Sequence, residues 1–535
     1  MAMASPASEE QYRREQEAFV SNHGGTTPQE IIYTLLPNVC GVLLTTTILA
    51  VFRDYTHRNV RVVIEFVLTV IPSILCCTIL SGYVGTVCVV MILISAANIS
   101  VLGIKGKGTV RKGTNFLGLP MRPVTGKRPF ITNFRALTNI ITAICILAVD
   151  FRIFPRKFAK TEAFGHSLMD TGVGLFIFAN ALVAPEARDL SSHRQAGFRE
   201  TLTKNMKNCI QSCLPLLLLG FGRFAIVECI AYQKHVTEYG IHWNFFLTLA
   251  LVKLFTGMIT STINSEYSLF SGIWILGMHE YIMSTTGLKA WVLSNEPRND
   301  FFSANREGLI SIPGYVGLYF ISVAVGRLIH STYRNAEREY TLQHTHKDVS
   351  VKLFGFQLDA SYNESMTLCI KLSLISAQAC IATLFCDMYF NVSRRLANVG
   401  YCTWILTLTT ILLTLLLLVE IVLDITDYAA SESHVESKTE RLRRYFRLNL
   451  KKCVESKRDG DKECVIRRTL EIFDAINYNG LFFFLLSNLL TGLVNMSMYT
   501  LYAQQTVALS ILVVYMAVSV SSILILYRLQ ISFKL

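Results

Sequence analysis

The sequence predicts an all-α, polytopic integral membrane protein with about 13 transmembrane helices. Of its 535 residues, 52% are hydrophobic and only 16% are charged, whereas soluble proteins carry about 25% charged residues. Apolar runs of about 20 residues, the length that a helix needs to cross the hydrocarbon core, recur along nearly the whole chain. Because these runs are continuously apolar rather than alternating, they favour helices over a β-barrel.

The runs together form one transmembrane domain, 31–527. The run at 268–285 is short and is expected to be either a span or a re-entrant or interfacial segment. The preceding segment, 1–30, is polar and lacks the pattern of a cleavable signal peptide, so the first span is expected to direct insertion. The expected spans are 31–52, 62–81, 83–103, 134–150, 166–184, 209–231, 242–262, 268–285, 309–330, 366–386, 401–425, 474–496 and 504–527.

The basic residues predict how the chain is oriented in the membrane. Lysine and arginine are concentrated in the connections near 104–135 and 426–473, which are therefore expected to be cytosolic, as is 331–365. An odd number of spans then places the N-terminus in the lumen and the C-terminal tail, 528–535, in the cytosol. This topology accounts for the net charge of +12, so no nucleic-acid partner is expected.

Cysteine usage and the common catalytic motifs predict neither a metal site nor hydrolytic chemistry. Most of the 14 cysteines lie inside apolar runs, where they behave as small hydrophobic residues. Cys209 and Cys213 are one helical turn apart, but no second pair completes a zinc site. The sequence contains no phosphate-binding loop, no HExxH motif and no GxSxG nucleophile elbow.

The connection after the fourth span breaks the charge pattern. It carries Arg152, Arg156, Lys157 and Lys160, yet counting spans places it in the lumen. Either the span count differs from the expected one, or these charges serve something other than topology. Ionisable residues at a membrane edge are costly to bury and therefore suggest function, although helix capping and contact with lipid headgroups are a competing explanation.

Acyl transfer to an alcohol is the chemistry that this connection permits. Asp150 closes the fourth span, Pro155 breaks the chain, and Lys160 follows. Burial raises the pKa of a carboxylate at the membrane edge, which makes it a better base for a hydroxyl group. A nearby lysine limits that rise and can face the developing oxyanion. Asp150 and Lys160 are expected to meet if the Pro155 turn folds the segment back.

Further polar residues adjoin other apolar runs, and counting spans places most of them near the lumenal face. Any single one is explained by a helix-end anchor or a hydrogen bond between helices, but their gathering on one side favours a common site. Those expected to contribute to substrate binding are Glu162, His166, Asp170, His242, Asn244, Asn305, Arg306, Arg394, Arg395, Asn479 and Asn488.

Several motifs along the chain resemble those of a known family. The segment ILAVDFRIFPRKFAKTEAFGHSLMDTGVG is similar to the signature of the inositol acyltransferases of glycosylphosphatidylinositol-anchor assembly, the class W phosphatidylinositol-glycan proteins. The resemblance extends over nearly the whole chain through FVSNHGGTTPQEI, EYGIHWNFFLTL, NREGLISIPGY, SRRLANVGY and NGLFFFLLSNLLTGLVNMS.

The resemblance implies a multi-pass enzyme of the endoplasmic reticulum membrane. It would transfer a fatty acyl group, typically palmitoyl, from acyl-coenzyme A to the inositol 2-hydroxyl of glucosaminyl-phosphatidylinositol, with acyl-coenzyme A as co-substrate and no further cofactor. Carried over by position, Asp150 becomes the general base and Lys160 its electrostatic partner. The remaining assignments are phosphate contacts for Arg135, Arg152 and Arg156, and a glycolipid pocket lined by Asn305, Arg306, Arg394 and Arg395.

Two other classes of function compete with this interpretation. A secondary transporter or lipid flippase would use the charges within its spans to move a substrate without changing it. A non-catalytic subunit of a glycolipid-processing complex would need neither Asp150 nor Lys160 for chemistry. For the enzyme, the sequence offers no obvious covalent nucleophile, so direct transfer in a ternary complex is favoured.

Overall fold

The computed structural model describes most of residues 11–533. The described part excludes positions 13, 17, 20, 22 and 295 and the segments 106–127, 189–197, 230–235, 344–348, 354–355, 361–363 and 432–467. Most of the predicted loops 104–135 and 426–473 therefore lie outside the described residues.

Helices dominate the described chain, as the sequence predicts. The helices of the first half are α1 (Pro28–Val51), α2 (Arg58–Cys77, with a π-helical turn at Phe66–Val70), α3 (Val84–Lys105), α4 (Pro129–Ala148), α5 (Thr171–Ala181), α6 (Phe198–Cys229), α7 (Val236–Tyr239) and α8 (Phe245–Thr262). Those of the second half are α9 (Ser268–Thr285), α10 (Leu288–Leu293), α11 (Phe301–Ala304), α12 (Arg306–Gln343), α13 (Glu364–Tyr389), α14 (Val399–Ser431), α15 (Glu471–Tyr478), α16 (Gly480–Ser497) and α17 (Gln505–Arg528). Two antiparallel strands, β1 (Val349–Leu353) and β2 (Phe356–Ala360), form a hairpin between α12 and α13.

Ten helices of the described chain are long and apolar enough to cross a membrane, which confirms an all-α polytopic membrane protein. The predicted span 166–184 contains only α5, an 11-residue helix that is too short to cross the hydrocarbon core. The predicted span 209–231 lies in α6, whose apolar part is Cys209–Phe224, and α9 is not among the ten. The expected number of spans is therefore not confirmed, and the orientation that was derived from it stays a prediction.

Helix α4 lies at the centre of the bundle. In its most apolar window 78% of the residues are buried, against 22% in α3 and in α16, so α3 and α16 lie at the periphery. Peripheral helices expose large apolar side chains, among them Phe270 and Trp274 on α9 and Ile381 and Met388 on α13. An apolar surface of this kind fits contact with lipid rather than with water.

The helices are longer than the apolar runs that predicted them. Helix α4 begins at Pro129, ahead of the predicted residue 134, because proline suits the first turn of a helix. Helix α12 continues to Gln343, so the predicted loop 331–365 holds helical residues and the hairpin. Helix α14 likewise extends beyond residue 425, to Ser431.

Helix directions place one group of loops at the same end of the bundle. Helix α4 ends at Ala148, two residues before Asp150, and the side chain of Asp150 meets Asn495 in the last turn of α16. The opposite end is marked by Glu471, which joins the start of α2 through Arg58 and the end of α17 through Arg528. Ion pairs and hydrogen bonds link the turns after α4, before α8 and before α14, and together these turns form the candidate site.

Candidate active site

Asp150 lies in the turn that follows α4, partly buried. Its Oδ2 accepts a hydrogen bond of 2.8 Å from Nδ2 of Asn495. Burial raises the pKa of Asp150 to about 6, while the bond from Asn495 and the charges of Arg156 and Lys160 limit the rise. A carboxylate with this pKa is ionised at neutral pH and is a stronger base than an exposed aspartate.

Arg156 holds the turn that carries Asp150. Its Nη2 donates to the backbone carbonyls of Val149, Phe151 and Phe154 at 2.9, 3.1 and 3.0 Å, and its guanidinium lies 3.9 Å from the ring centre of Phe19. One guanidinium thus binds three carbonyl groups of the same turn, which fixes the backbone on both sides of Asp150. The contacts assign Arg156 to the backbone of this turn, whereas its predicted contact with a phosphate remains untested.

The N-terminal segment packs across the same connection. The backbone N–H of Thr26 donates to the carbonyl of His166 at 2.7 Å, and the N–H of Glu162 donates to the carbonyl of His23 at 3.2 Å. Gly25 has a φ of +79°, and a Cβ there would lie 2.3 Å from the carbonyl oxygen of His166. Only glycine permits this approach, so Gly25 allows the N-terminal segment to pack against the turn.

Lys160 lies in a closed ring of polar contacts, here called the Lys160 ring (Lys160, Glu238, Arg394, Asp170 and Thr161). Lys160 Nζ is 2.6 Å from Glu238 Oε2, and Glu238 Oε1 is 3.4 Å from Arg394 Nη1. Arg394 Nε is 3.0 Å from Asp170 Oδ1, and Asp170 Oδ2 accepts from the N–H and the hydroxyl of Thr161 at 3.0 and 2.7 Å. Because Thr161 follows Lys160 in the chain, the contacts close on themselves.

The predicted meeting of Asp150 and Lys160 is therefore only partly realised. Lys160 is ion-paired with Glu238, and no ion pair with Asp150 occurs between the described side chains. The charge of Lys160 nevertheless acts on Asp150 and lowers its pKa. The Pro155 bend thus brings the two groups into electrostatic range without bringing them into contact.

A second group of buried charges surrounds Glu307. Glu307 is fully buried, 2.6 Å from Nη2 of Arg298 and 3.0 Å from Nη2 of Arg395, and Arg306 Nε lies 3.7 Å away. Arg395 Nη1 also approaches Glu162 at 3.8 Å, which links this group to the turn after Lys160. Three guanidinium groups thus surround one buried carboxylate, and Nε and Nη1 of Arg306 make no hydrogen bond within the described structure.

Other predicted residues hold backbone at this end of the bundle. Asn244 caps α8 through the N–H groups of Phe246 and Leu247, and Asn305 accepts from the N–H of His242 at 2.9 Å. The ring of His242 is exposed and contacts Phe224 edge-on. These contacts explain why the side chains are polar, and they leave a substrate contact by His242 as a prediction.

His166 is buried between aromatic and acidic neighbours. Its ring lies edge-on to Trp404, and its Nε2 is 3.7 Å from Oδ1 of Asp387. Burial lowers the pKa of His166, and the charge of Asp387 opposes that shift. His166 and Asp170 precede α5 rather than lying in its first turns as predicted, because this helix begins only at Thr171.

Several predicted residues lie away from Asp150. Asn479 precedes α16 and bonds with the backbone of Ile531 and Phe533, whereas Asn495 lies in the last turn of that 18-residue helix, roughly 25 Å away at 1.5 Å per residue. Asn479 therefore lies at the other end of α16 from the residue that contacts Asp150, and its role in substrate binding stays a prediction. Asn488 lies within α16 and bonds to the carbonyl of Phe484.

The arginines predicted as phosphate contacts are also separated. Arg135 lies inside α4, about 22 Å along the helix from Asp150 at 1.5 Å per residue, and not in the preceding loop. Arg152 is exposed beside Glu15, whose pKa it helps to lower after hydrogen bonds from Tyr502 and Gln11. Arg135 and Arg152 therefore cannot bind one phosphate group together.

A groove of about 680 Å³ opens between α16 and α17. Its wall is mainly apolar and includes Leu490, Val494, Ile511 and Val514. Val494 immediately precedes Asn495, the residue that bonds to Asp150. The groove thus ends beside the helix turn that carries the hydrogen-bond donor of the candidate base, and its surface suits an alkyl chain.

Sequence reasoning missed three residues of the site, namely Glu238, Asn495 and Arg298. Two of them lie within motifs that carried the resemblance: Glu238 begins EYGIHWNFFLTL, and Asn495 lies near the end of the last motif. Their motifs were a usable signal. Arg298 lies outside the motifs, and no pattern in the sequence marked it.

Comparison with known proteins places the chain in a family. The GWT1 family matches residues 12–526, almost the full length. The chain belongs to the GWT1 family. Its relatives include the glucosaminyl-phosphatidylinositol-acyltransferase PIGW of Homo sapiens, 32% identical over 96% of this chain and 97% of the relative. The same enzyme of Bos taurus is 32% identical over 97% and 98%, and the GPI-anchored wall transfer protein 1 of Gibberella zeae is 32% identical over 98% and 99%.

Membership of the GWT1 family confirms the resemblance that the motifs predicted. It also confirms that the chain is an acyltransferase of glycosylphosphatidylinositol-anchor biosynthesis and a multi-pass membrane protein.

Proposed function

We propose that this chain transfers a fatty acyl group from acyl-coenzyme A to the inositol 2-hydroxyl of glucosaminyl-phosphatidylinositol at the endoplasmic reticulum membrane. The observation that carries the proposal is that the partly buried Asp150, whose pKa is raised, lies within electrostatic range of Lys160, which Glu238 holds in an ion pair. The names of the relatives supply the acceptor class, and the apolar groove beside Asn495 supports a long-chain donor.

Asp150 acts as the general base in the proposed reaction. Its carboxylate takes the proton of the inositol hydroxyl as the oxygen attacks the thioester carbonyl, and a C–O bond forms. The Lys160 ammonium faces the oxyanion that develops on the carbonyl oxygen. The C–S bond then breaks, and the proton passes from Asp150 to the departing thiolate, which leaves as free coenzyme A.

Both substrates are lipids or carry a lipid chain, so the bilayer already confines them. Binding them together at one end of the bundle supplies much of the rate by proximity. The acyl chain occupies the groove between α16 and α17, and the glycolipid headgroup lies against the buried arginines Arg306, Arg394 and Arg395. Transfer is direct, within a ternary complex.

The test uses purified protein in nanodiscs with radiolabelled palmitoyl-coenzyme A and glucosaminyl-phosphatidylinositol. The expected product carries one palmitoyl group on the inositol ring by mass spectrometry, with one free thiol released per product. A lipid that stays unacylated while the protein is folded overturns the proposal. A transporter or flippase is excluded when product forms, because such proteins leave the lipid chemically unchanged.

A further inference from the structure

Glu238 has no part in the proposed chemistry, yet it contacts the lysine that does. Its carboxylate lies between Lys160 at 2.6 Å and Arg394 at 3.4 Å. Burial alone would raise the pKa of Glu238, but the charges of Lys160, Arg394 and Arg223 together lower it to about 2. Glu238 therefore carries a full negative charge across the physiological pH range.

We propose that Glu238 is a positioning residue, which holds the Lys160 ammonium near Asp150 but out of an ion pair with it. The proposal rests on the proposed function, since it assigns Asp150 as the base. A lysine in direct contact with Asp150 would make the carboxylate a weaker base and would occupy the space that the substrate hydroxyl needs. Glu238 removes that competition while keeping the positive charge within reach of the oxyanion.

Only two charged side chains act on Asp150, as judged from the described residues, namely Arg156 and Lys160. Arg156 is engaged by the carbonyls of Val149, Phe151 and Phe154 and is fixed in place. Lys160 has a flexible four-carbon side chain, so a single neighbouring residue can determine the position of its ammonium group. Glu238 is that neighbour, because it makes the ion pair with Lys160.

The backbone that carries Glu238 is itself fixed. Gly240, with a φ of +116°, packs so closely that a Cβ would lie 2.6 Å from the backbone of Ala304 and Asn305. The N–H of Ile241 donates to the carbonyl of Ala304 at 2.9 Å. On its other side the carboxylate meets Arg394, which Asp170 holds in turn. Glu238 is therefore a rigid anchor for Lys160, as positioning requires.

A purely structural ion pair and a positioning ion pair predict different pH profiles. Removing a structural pair lowers stability and the amount of active protein, but leaves the titration of Asp150 unchanged. Removing Glu238 as a positioning residue leaves the Lys160 charge uncompensated and free to approach Asp150. The pKa of Asp150 then falls, and the acid limb of the rate profile moves to lower pH.

The experiment measures kcat against pH for wild type, Glu238→Gln and Glu238→Asp with palmitoyl-coenzyme A and glucosaminyl-phosphatidylinositol at saturation. Glu238→Gln is expected to lower kcat and to shift the acid-limb midpoint down by about 0.5–1 pH unit, the effect of one unit charge at close range. Glu238→Asp keeps the negative charge and is expected to bring the acid-limb midpoint back close to the wild-type value. An unchanged or upward-shifted midpoint in Glu238→Gln overturns the proposal.

Two further variants sharpen the result. Lys160→Met removes the positive charge and is expected to shift the midpoint upward. The double variant with Glu238→Gln is expected to show the same midpoint as Lys160→Met alone, since Glu238 acts through the lysine.

Glu471→Gln is the matched control, because Glu471 is also a buried carboxylate between two cations, Arg58 and Arg528, at the opposite end of the bundle. It is expected to leave the midpoint unchanged. If wild type forms no acylated product, both proposals fail; if it does and the midpoint does not move, only the role of Glu238 fails.

Discussion

Two influences act on Asp150 in opposite directions. Burial raises its pKa, whereas the hydrogen bond from Asn495 and the charges of Arg156 and Lys160 lower it, and the net result is a pKa of about 6. The carboxylate can take a proton only when it is ionised, so the rate is expected to fall as the pH drops through about 6. An unperturbed aspartate, with a pKa of about 3.9, would keep its activity to much lower pH.

The measurement is kcat against pH in nanodiscs, with the folded fraction checked at each pH by intrinsic fluorescence. A midpoint close to 6 on the acid side is the expected result, and stability that is constant over the same interval shows that the loss is catalytic. A rate that stays constant down to about pH 4.5 would contradict the assignment of Asp150 as a base with a raised pKa.

At the scale of single residues, the sequence predicts which residues belong to the site better than it predicts which side chains they contact. Asp150 stands out because it combines a span end, a proline bend and a basic connection. Its hydrogen-bond donor, Asn495, and the ion-pair partner of Lys160, Glu238, are distant in the chain, 345 and 78 positions away. Contacts of that range depend on how the helices pack, and a single sequence does not specify them.

At the scale of elements, close backbone contacts position the site. Gly314 lies in α12 directly after Pro313, and a Cβ there would lie 2.0 Å from the carbonyl oxygen of Ala397. The loop that contains Ala397 also carries Arg394 and Arg395, and Asn398 closes it by bonding to Ser393 and Tyr401. The distance between α12 and this loop is therefore set by the absence of a side chain at position 314.

Gly314→Ala is expected to displace the loop and to destabilise the protein by about 1–3 kcal/mol, the usual cost of overpacking. The folded protein is also expected to have a lower kcat, because the displaced loop carries Arg394, which belongs to the Lys160 ring. Gly277→Ala is the matched control, since that glycine lies in helix α9 with open space around its Cβ position. Thermal melting and kcat of both variants test the prediction, and equal behaviour of the two would contradict it.

Helices were predicted correctly wherever the length of an apolar run was the main determinant of secondary structure. The strong runs all became helices, but their ends shifted, because helices continue past the apolar run wherever polar residues tolerate the helical conformation, as in α12 and α14. The predicted span that the structure does not bear out is 166–184, where only an 11-residue helix forms. There Gly165, with a φ of +127°, and the bridge between His166 and Thr26 keep the chain out of a helix until Thr171.

At the scale of the whole molecule, two groups of polar residues lie at opposite ends of the bundle. Asp150, the Lys160 ring and the Glu307 group lie at one end, while Glu471 and Asn479 lie at the other. The resemblance of the motifs predicted the family correctly, and the apolar pattern predicted the fold class. The number of spans was not predictable, since α5 and the apolar part of α6 are too short to be assigned by hydropathy alone.

The most direct test of the account compares wild type with Asp150→Asn, which keeps the shape of the side chain and removes its basic oxygen. Both proteins are purified in identical nanodiscs, and the initial rate of palmitoyl transfer to the inositol of glucosaminyl-phosphatidylinositol is measured near pH 7.5. The expected result is a loss of about 100-fold or more in the variant, the usual contribution of a general base, with unchanged thermal stability. Equal rates in the two proteins would contradict the assignment of Asp150 as the general base.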